Sequence, residues 1–301
     1  MATATATETR RRVPGTGGVR FSWTWFGMVP FFLFGAAFLL YPAWSILAQS
    51  VRSESGGLTL ANFGKLNAPF IVASYVQTIQ LSAVTALMGG LLGCLMAYAI
   101  TVGGAGRFVR PFLLSFSGVA SNFAGIPLAF AFIATLGNLG LVNWIIGHFG
   151  LNLRAMGFNL YSFWGLAITY TYFQIPLMVL VIVPVFDGLR REWQEASASL
   201  GASSLHYWRH VGFPIILPGV LGGMVLLFGN AFGAHATAFA LTGGGPGTKV
   251  ITILIGSQLS SDTSTNPGLA NAMALGMIAI MGLTIALYIW LQRWSERWMA
   301  R

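Results

Sequence analysis

Chemistry has few places to start in this chain of 301 residues, because Asp, Glu, Lys and Arg together make up only 8% of it. The densest internal group lies at 192–200. Glu192, Glu195 and Ser199 recur at steps of three and four, which places them on one face of a helix. Trp193, Ala196 and Leu200 make an apolar face beside it. Carboxylates next to aromatics on a short amphipathic helix suit entry into a groove on another protein. Gly201 then interrupts, and Ser203 or Ser204 can cap a second short helix through "LHYWRHV". Pro214 closes this segment and starts the next apolar run.

A second set of polar residues stands inside long apolar runs, where polarity is expensive and invites a functional reading. It comprises Gln77, Gln80, Asn122, Gln174, Asn230, His235 and Asn271. His235 has two readings, the lining or gate of a pathway and an imidazole hydrogen-bonded between helices. For the Asn and Gln residues, hydrogen bonding between helices is the stronger reading. Tyr170 and Tyr172 could offer aromatic faces to a cation. No buried carboxylate accompanies them.

Catalysis lacks a constellation. No catalytic triad is visible, and no His, Cys, Asp and Glu cluster has metal-ligand spacing. The single cysteine, Cys94, sits in an apolar run and can form no internal disulfide. "TGGGPG" at 242–247 lacks the Gly-Lys-Ser/Thr ending of a phosphate loop and reads as a turn. The chain is expected to be no enzyme and to hold no cofactor of its own.

The elements that must position these residues follow from hydropathy. Hydrophobic residues make up 55% of the chain. No charged residue occurs at 21–51, 66–106, 111–153 or 155–186. A bilayer core takes about 20 apolar residues in helical form, and helices are the default there because the backbone must satisfy itself. The expectation is an all-α polytopic membrane protein with six spans, at roughly 25–49, 71–102, 111–136, 159–186, 213–241 and 269–292. "VITILIG" is too short to span and is expected to dip in or pack on other helices. "GGLLGC" and "GVLGG" bring small residues together for close helix contact.

Six spans put both termini on one side. With that side cytoplasmic, it holds twelve of the 16 basic residues, Arg190, Arg191 and Arg209 among them. Arg52, Lys65, Arg154 and Lys249 fall on the other. The net charge of +9 thus marks topology, and its dispersal excludes a nucleic-acid patch. Residues 187–212 become cytoplasmic. Residues 1–20 read as a flexible cytoplasmic tail, without the short apolar core of a cleaved signal.

At this point the sequence resembles a family. "EASASLGASSLHYWRHVGFP" is similar to the signature of permease subunits of binding-protein-dependent ABC importers. That signature is Glu-Ala-Ala, three residues, Gly, nine residues, Ile, one residue, Leu-Pro. Here it reads Glu195, Ala196 and Ser197, then Gly201, then Val211, Phe213 and Pro214. Ser, Val and Phe replace Ala, Ile and Leu. The resemblance covers roughly residues 70–295.

It implies the transmembrane domain of a type I importer over 21–301, with 187–214 as a coupling-helix pair docked on a cytoplasmic ATPase. Glu195 would meet basic residues of that ATPase, and Gly201 would make the sharp turn. Trp193, Leu200 and Trp208 would fill its groove or brace the pair on the membrane domain. The implied partners are a second permease subunit, two ATPase subunits that bind the ATP and Mg, an extracytoplasmic solute-binding protein and membrane lipid. The implied location is a bacterial inner membrane.

"SLGAS" resembles the permeases for polyamines, ferric iron, sulfate, thiamine or phosphonates, and the expectation is a small charged solute such as a polyamine. "LTGGGP" also occurs in sugar permeases, which is the alternative. A stand-alone secondary carrier is the other class, but inverted repeats and intramembrane ionisable groups are wanting apart from His235. Asn122, Gln174, Asn230 and Tyr170 complete the pathway candidates.

Overall fold

The computed structural model describes residues 24–53, 57–104, 106, 108–151, 153, 155–244, 249–260 and 266–299. The expected tail at 1–20 and residues 245–248 of the Gly-rich run lie outside them. Among the described residues the fold is helical throughout, with no strand beyond an isolated Arg52–Leu58 bridge. Among these residues, six segments are long and apolar enough to cross a membrane: Gly27–Ser50, Pro69–Thr101, Ile126–Gly147, Phe163–Asp187, Ser204–Phe232 and Pro267–Trp290.

The chain divides into two units, Met1–Ile46 and Leu47–Arg301. The first carries α1 (Thr24–Gly35), a π turn and the start of α2 (Tyr41–Ser50). No residue from Gly27 to Ile46 is buried, and Phe34 stacks on Phe38 at 4.7 Å.

The second unit is built around α8 (Phe163–Asp187). Fourteen of its residues are buried, including Tyr170, Phe173, Gln174 and Met178. Against it lie α4 (Pro69–Thr101), α5 (Val109–Asn122) and α11 (Phe213–Phe232). The closeness of α4 and α8 comes from glycine. A Cβ on Gly89 would stand 2.4 Å from Gln174 Cβ, and one on Gly93 would stand 2.5 Å from Met178 Cβ. The two glycines are one helical turn apart and let the backbones meet, as small residues do in lipid. On α11, Gly223 gives the same access to the Met178 thioether. Buried hydroxyls inside α4 satisfy themselves locally: Thr78 donates to Ser74 O at 2.6 Å and Ser82 to Thr78 O at 2.7 Å.

Two expected spans are broken rather than continuous. The 111–136 run divides into α5 and α6 (Ile126–Leu136), because Gly125 takes φ +73° and ψ −143°. Only glycine adopts that conformation freely. Pro127 in the first turn of α6 then starts a new helix. α6 leads into the short α7 (Leu141–Gly147). The 213–241 run stops at Phe232 and resumes as α12 (Ala236–Thr242). Gly243 and Gly244, both at positive φ, form the turn expected after it.

At its other end α11 extends further than its proline suggests. Helix α10 (Ser204–Tyr207) runs into it through a π turn at Trp208–Gly212. Pro214 has no N–H to return to His210 and its ring crowds that carbonyl, and the wide turn absorbs both defects. Pro214 therefore sits inside one continuous helical run and does not begin it. The "VITILIG" segment becomes α13 (Ile251–Ser260), packed on α4 and on α14 (Pro267–Met299) with Val250, Ile251 and Ile253 buried. Its Ile251 N–H donates to Thr78 Oγ1 at 2.9 Å.

Candidate functional site

Two places concentrate the polar residues. The first is an elbow between α8 and α11. α8 ends at Asp187, whose carboxylate accepts from the Arg110 guanidinium at 2.6 Å, tying the start of α5 to the end of α8. Both side chains are near 40% exposed, so the pair is worth at most about 1 kcal/mol. After a turn at Gly188–Leu189, helix α9 (Arg191–Ser199) begins with Glu192 in its first turn, where the helix dipole favours a carboxylate. The Arg190 guanidinium lies 5.8 Å from the Trp193 ring.

Helix α9 ends in a complete glycine cap. Gly201 N–H donates to Ala198 O at 2.9 Å and Ala202 N–H to Ser197 O at 3.0 Å, with Gly201 at φ +76°. Ser203 then caps α10, its hydroxyl accepting from His206 N–H at 3.3 Å. The chain turns sharply twice within four residues, so α9 and α10 form an angle. No residue of α9 is buried. Trp193 is 37% exposed, Leu200 87% and Leu205 79%, while Glu195 and Ala196 are also exposed. An amphipathic helix with its aromatic and aliphatic face bare lacks the partner that would cover it.

Trp208 does the opposite. Its ring packs edge-on against Tyr98 of α4 at 5.4 Å, beside buried Tyr207. It braces the elbow on the membrane helices. Between the brace and α9 lies a cavity of about 530 Å³, lined by Thr101, Asp187, Arg190, Gln194, Glu195 and Trp208. Sequence reasoning had no sign of Tyr98 or of the Arg110–Asp187 tie, since neither belongs to a local pattern.

The second place is where the two broken helices meet. Gly125 N–H, freed by the break before α6, donates to Thr237 Oγ1 of α12 at 2.7 Å. On the other side of the α11 break, Ala234 O accepts from Tyr170 OH at 2.9 Å. One turn along α8, Gln174 Nε2 donates to Leu227 O at 2.8 Å, while its buried Oε1 has no partner among the described residues. Tyr170 and Gln174 thus hold the end of α11 from inside the core and present no open surface. Asn271 likewise bonds between helices, donating to Gln49 Oε1 at 3.1 Å.

Asn122, Asn230 and His235 are exposed and flank the breaks. The His235 ring stacks on Phe239 at 5.5 Å, and a Cβ on Gly256 of α13 would come within 3.3 Å of its Cε1. Half-exposed Tyr172 stands between Phe123 and Phe132. Asn and His side chains together with interrupted helix ends offer donors and acceptors to a polar solute. No group of three or more metal-ligating side chains occurs among the described residues.

The Gly125–Thr237 bond carries a prediction. Thr237→Val leaves the Gly125 N–H without an acceptor, at a cost of about 1–2 kcal/mol. Thermal unfolding in detergent should fall by about 2–4 °C, whereas Thr237→Ser, which keeps the hydroxyl, should stay close to wild type. Equal melting of all three would remove this bond from the account of how the breaks are held.

Comparison with known proteins places these features in company. Residues 89–301 match the family model described as "Binding-protein-dependent transport system inner membrane component". The sulfate transport system permease protein CysT of Salmonella typhimurium is 28% identical over 58% of this chain and 60% of its own length. The match therefore spans less than two thirds of that relative. The molybdenum transport system permease protein ModB of Mycobacterium tuberculosis is 24% identical over 73% of this chain and 79% of its own. Among solved structures, a bacterial ABC transporter involved in import of the acidic polysaccharide alginate aligns with a TM-score of 0.70. It covers 91% of this chain and 96% of that one at 16% identity, which speaks for a shared fold.

Proposed function

This chain belongs to the family of binding-protein-dependent transport system inner membrane components, and we propose that it is half of the membrane pathway of an ATP-driven importer for a small oxyanion. The observation that carries the coupling role is α9, a membrane-protein helix that stands away from the spans with no buried residue. In this reading the α9–α10 pair seats on a cytoplasmic ATPase. Trp193, Ala196 and Leu200 enter its groove, Glu195 meets its basic residues, and Trp208 with Pro214 passes the motion into α11. Two ATPase subunits bind the ATP and Mg, a second permease completes the pathway, and an external solute-binding protein delivers the solute. The basic residues favour both termini, and the expected tail at 1–20, on the ATPase side. The transmembrane domain takes up the remainder, 21–301.

Within the expected class of small charged solutes, an anion is favoured over a polyamine. The relatives named above are called sulfate and molybdenum permeases, and none of the names supports the polyamine expectation. The chemistry of the interior agrees. No carboxylate lies within the apolar spans short of Asp187 at the end of α8. Asn230 and His235 offer N–H donors of the kind an oxyanion requires, whereas the Asn122 amide already donates to Gly118 O at 2.9 Å.

The test is uptake into proteoliposomes holding this chain with its ATPase and solute-binding protein. Radiolabelled sulfate or molybdate should accumulate only with ATP, and putrescine should not compete. Competition by putrescine and not by molybdate would overturn the oxyanion reading. In the same preparation Glu195→Lys should lower retention of the ATPase about tenfold, the scale of one lost charge contact at an interface. Undiminished retention would remove Glu195 from the docking face.

A further inference from the structure

A groove of about 560 Å³ opens between α4 and the α10–α11 run, on the far side of Trp208 from the elbow cavity. Leu95 and Tyr98 line it from α4, and Leu205, Trp208 and Phe213 from the other wall. Arg209 is its one charged lining residue. That side chain is exposed, and among the described residues the one ion pair is Arg110–Asp187, elsewhere.

The position of the groove matters as much as its lining. Tyr98 and Trp208 have the amphipathic rings that settle at the level of lipid headgroups. The groove starts beside them and continues to Ile216, eight residues beyond Trp208 along the helical run and so about 12 Å deeper. A cation at headgroup height above an apolar channel of that length matches one occupant, a phospholipid. We propose that this groove is a site for an anionic phospholipid, its phosphate on Arg209 and an acyl chain between Leu95 and Phe213.

A second copy of this chain fits less well. The carboxylate that its spans bring to this level, Asp187 at the end of α8, is already paired with Arg110 and so is not free to meet Arg209. The lipid also has a consequence for the elbow, because Phe186 and Trp208 form walls of both cavities. An acyl chain in one stiffens the brace that borders the other. The site stands on the membrane placement of α4 and α11 and is independent of which solute is carried.

The experiment uses the purified transporter with its partner subunits, titrated with phosphatidylglycerol or phosphatidylcholine and read by native mass spectrometry. The expected result is retention of phosphatidylglycerol over phosphatidylcholine. That retention falls at least fivefold in Arg209→Gln and in Leu95→Trp, which fills the groove, and is unchanged in Arg293→Gln on α14. Equal retention of the two lipids, or unchanged phosphatidylglycerol retention in both groove variants, overturns the proposal. So does high-yield disulfide cross-linking of Leu205→Cys, in a Cys94→Ser background, to the neighbouring permease, since that places protein and not lipid over the groove.

Discussion

Gly201→Pro is expected to abolish solute uptake while leaving the chain folded and inserted. Proline fixes φ near −65°, and Gly201 stands at +76°. The substitution also deletes the N–H that donates to Ala198 O, half of the cap that ends α9. The α9 helix would then have to run on or fray, and the angle between α9 and α10 would be lost. Nothing lies within 4 Å of a Cβ built on Gly201, so packing plays no part. Gly201→Ala therefore isolates the conformational cost, about 1–2 kcal/mol for a left-handed residue with a side chain. Uptake should fall in the order glycine, alanine, proline, with no measurable transport in the last. Because α9 buries no residue, all three should extract as folded protein with similar melting temperatures. Proline at wild-type rates would show that the sharp bend transmits nothing.

Gly93→Leu is expected to have the opposite profile, a loss of folded protein before any question of transport. A Cβ there would stand 2.5 Å from Met178 Cβ and 2.8 Å from Ile175 O. The second of these is backbone and cannot turn aside. Even alanine forces α4 and α8 apart, costing about 1–3 kcal/mol, which outweighs the gain of up to about 1 kcal/mol in helix propensity. Leucine adds three more heavy atoms to the same closed space. The measurement is the fraction monodisperse after detergent extraction, with Gly118→Ala on α5 as control, since nothing lies within 4 Å of that site. Gly93→Leu should be recovered as aggregate, and Gly118→Ala should equal wild type. Recovery of Gly93→Leu at wild-type yield would mean that the two helices do not meet there.

The membrane fold was legible because charge is so unevenly spread. Four long stretches without an ionised side chain outline most of the spans, and the Glu195-to-Gly201 spacing marks the elbow within one residue of its turn. What escaped was continuity. Hydropathy does not change across Gly125 or Gly233, so a broken helix and an intact one look alike by composition. Gly125-Ile126-Pro127 was the available signal, a permissive residue placed just before one that cannot continue a helix. Pro214 misled in the other direction, since a π turn let the helix pass through it. Rotation about the helix axis was hidden as well. α8 is apolar on all sides, so nothing in its pattern showed that Tyr170 and Gln174 point into the core while Tyr172 faces outward.

Met178 touches two neighbours of α8 at once, its Cβ and Cγ against Gly93 of α4 and its sulfur and ε-methyl against Gly223 of α11. An unbranched thioether with three torsions refills an irregular gap as its surroundings shift. Bare glycine backbone on two sides and a compliant filler between them make a bearing: α4 and α11 can slip past α8 without opening a void. The same compliance is a weakness under oxidative stress. A sulfoxide at this position would put a polar, bulkier wedge into a dry three-way joint, and the bearing would seize.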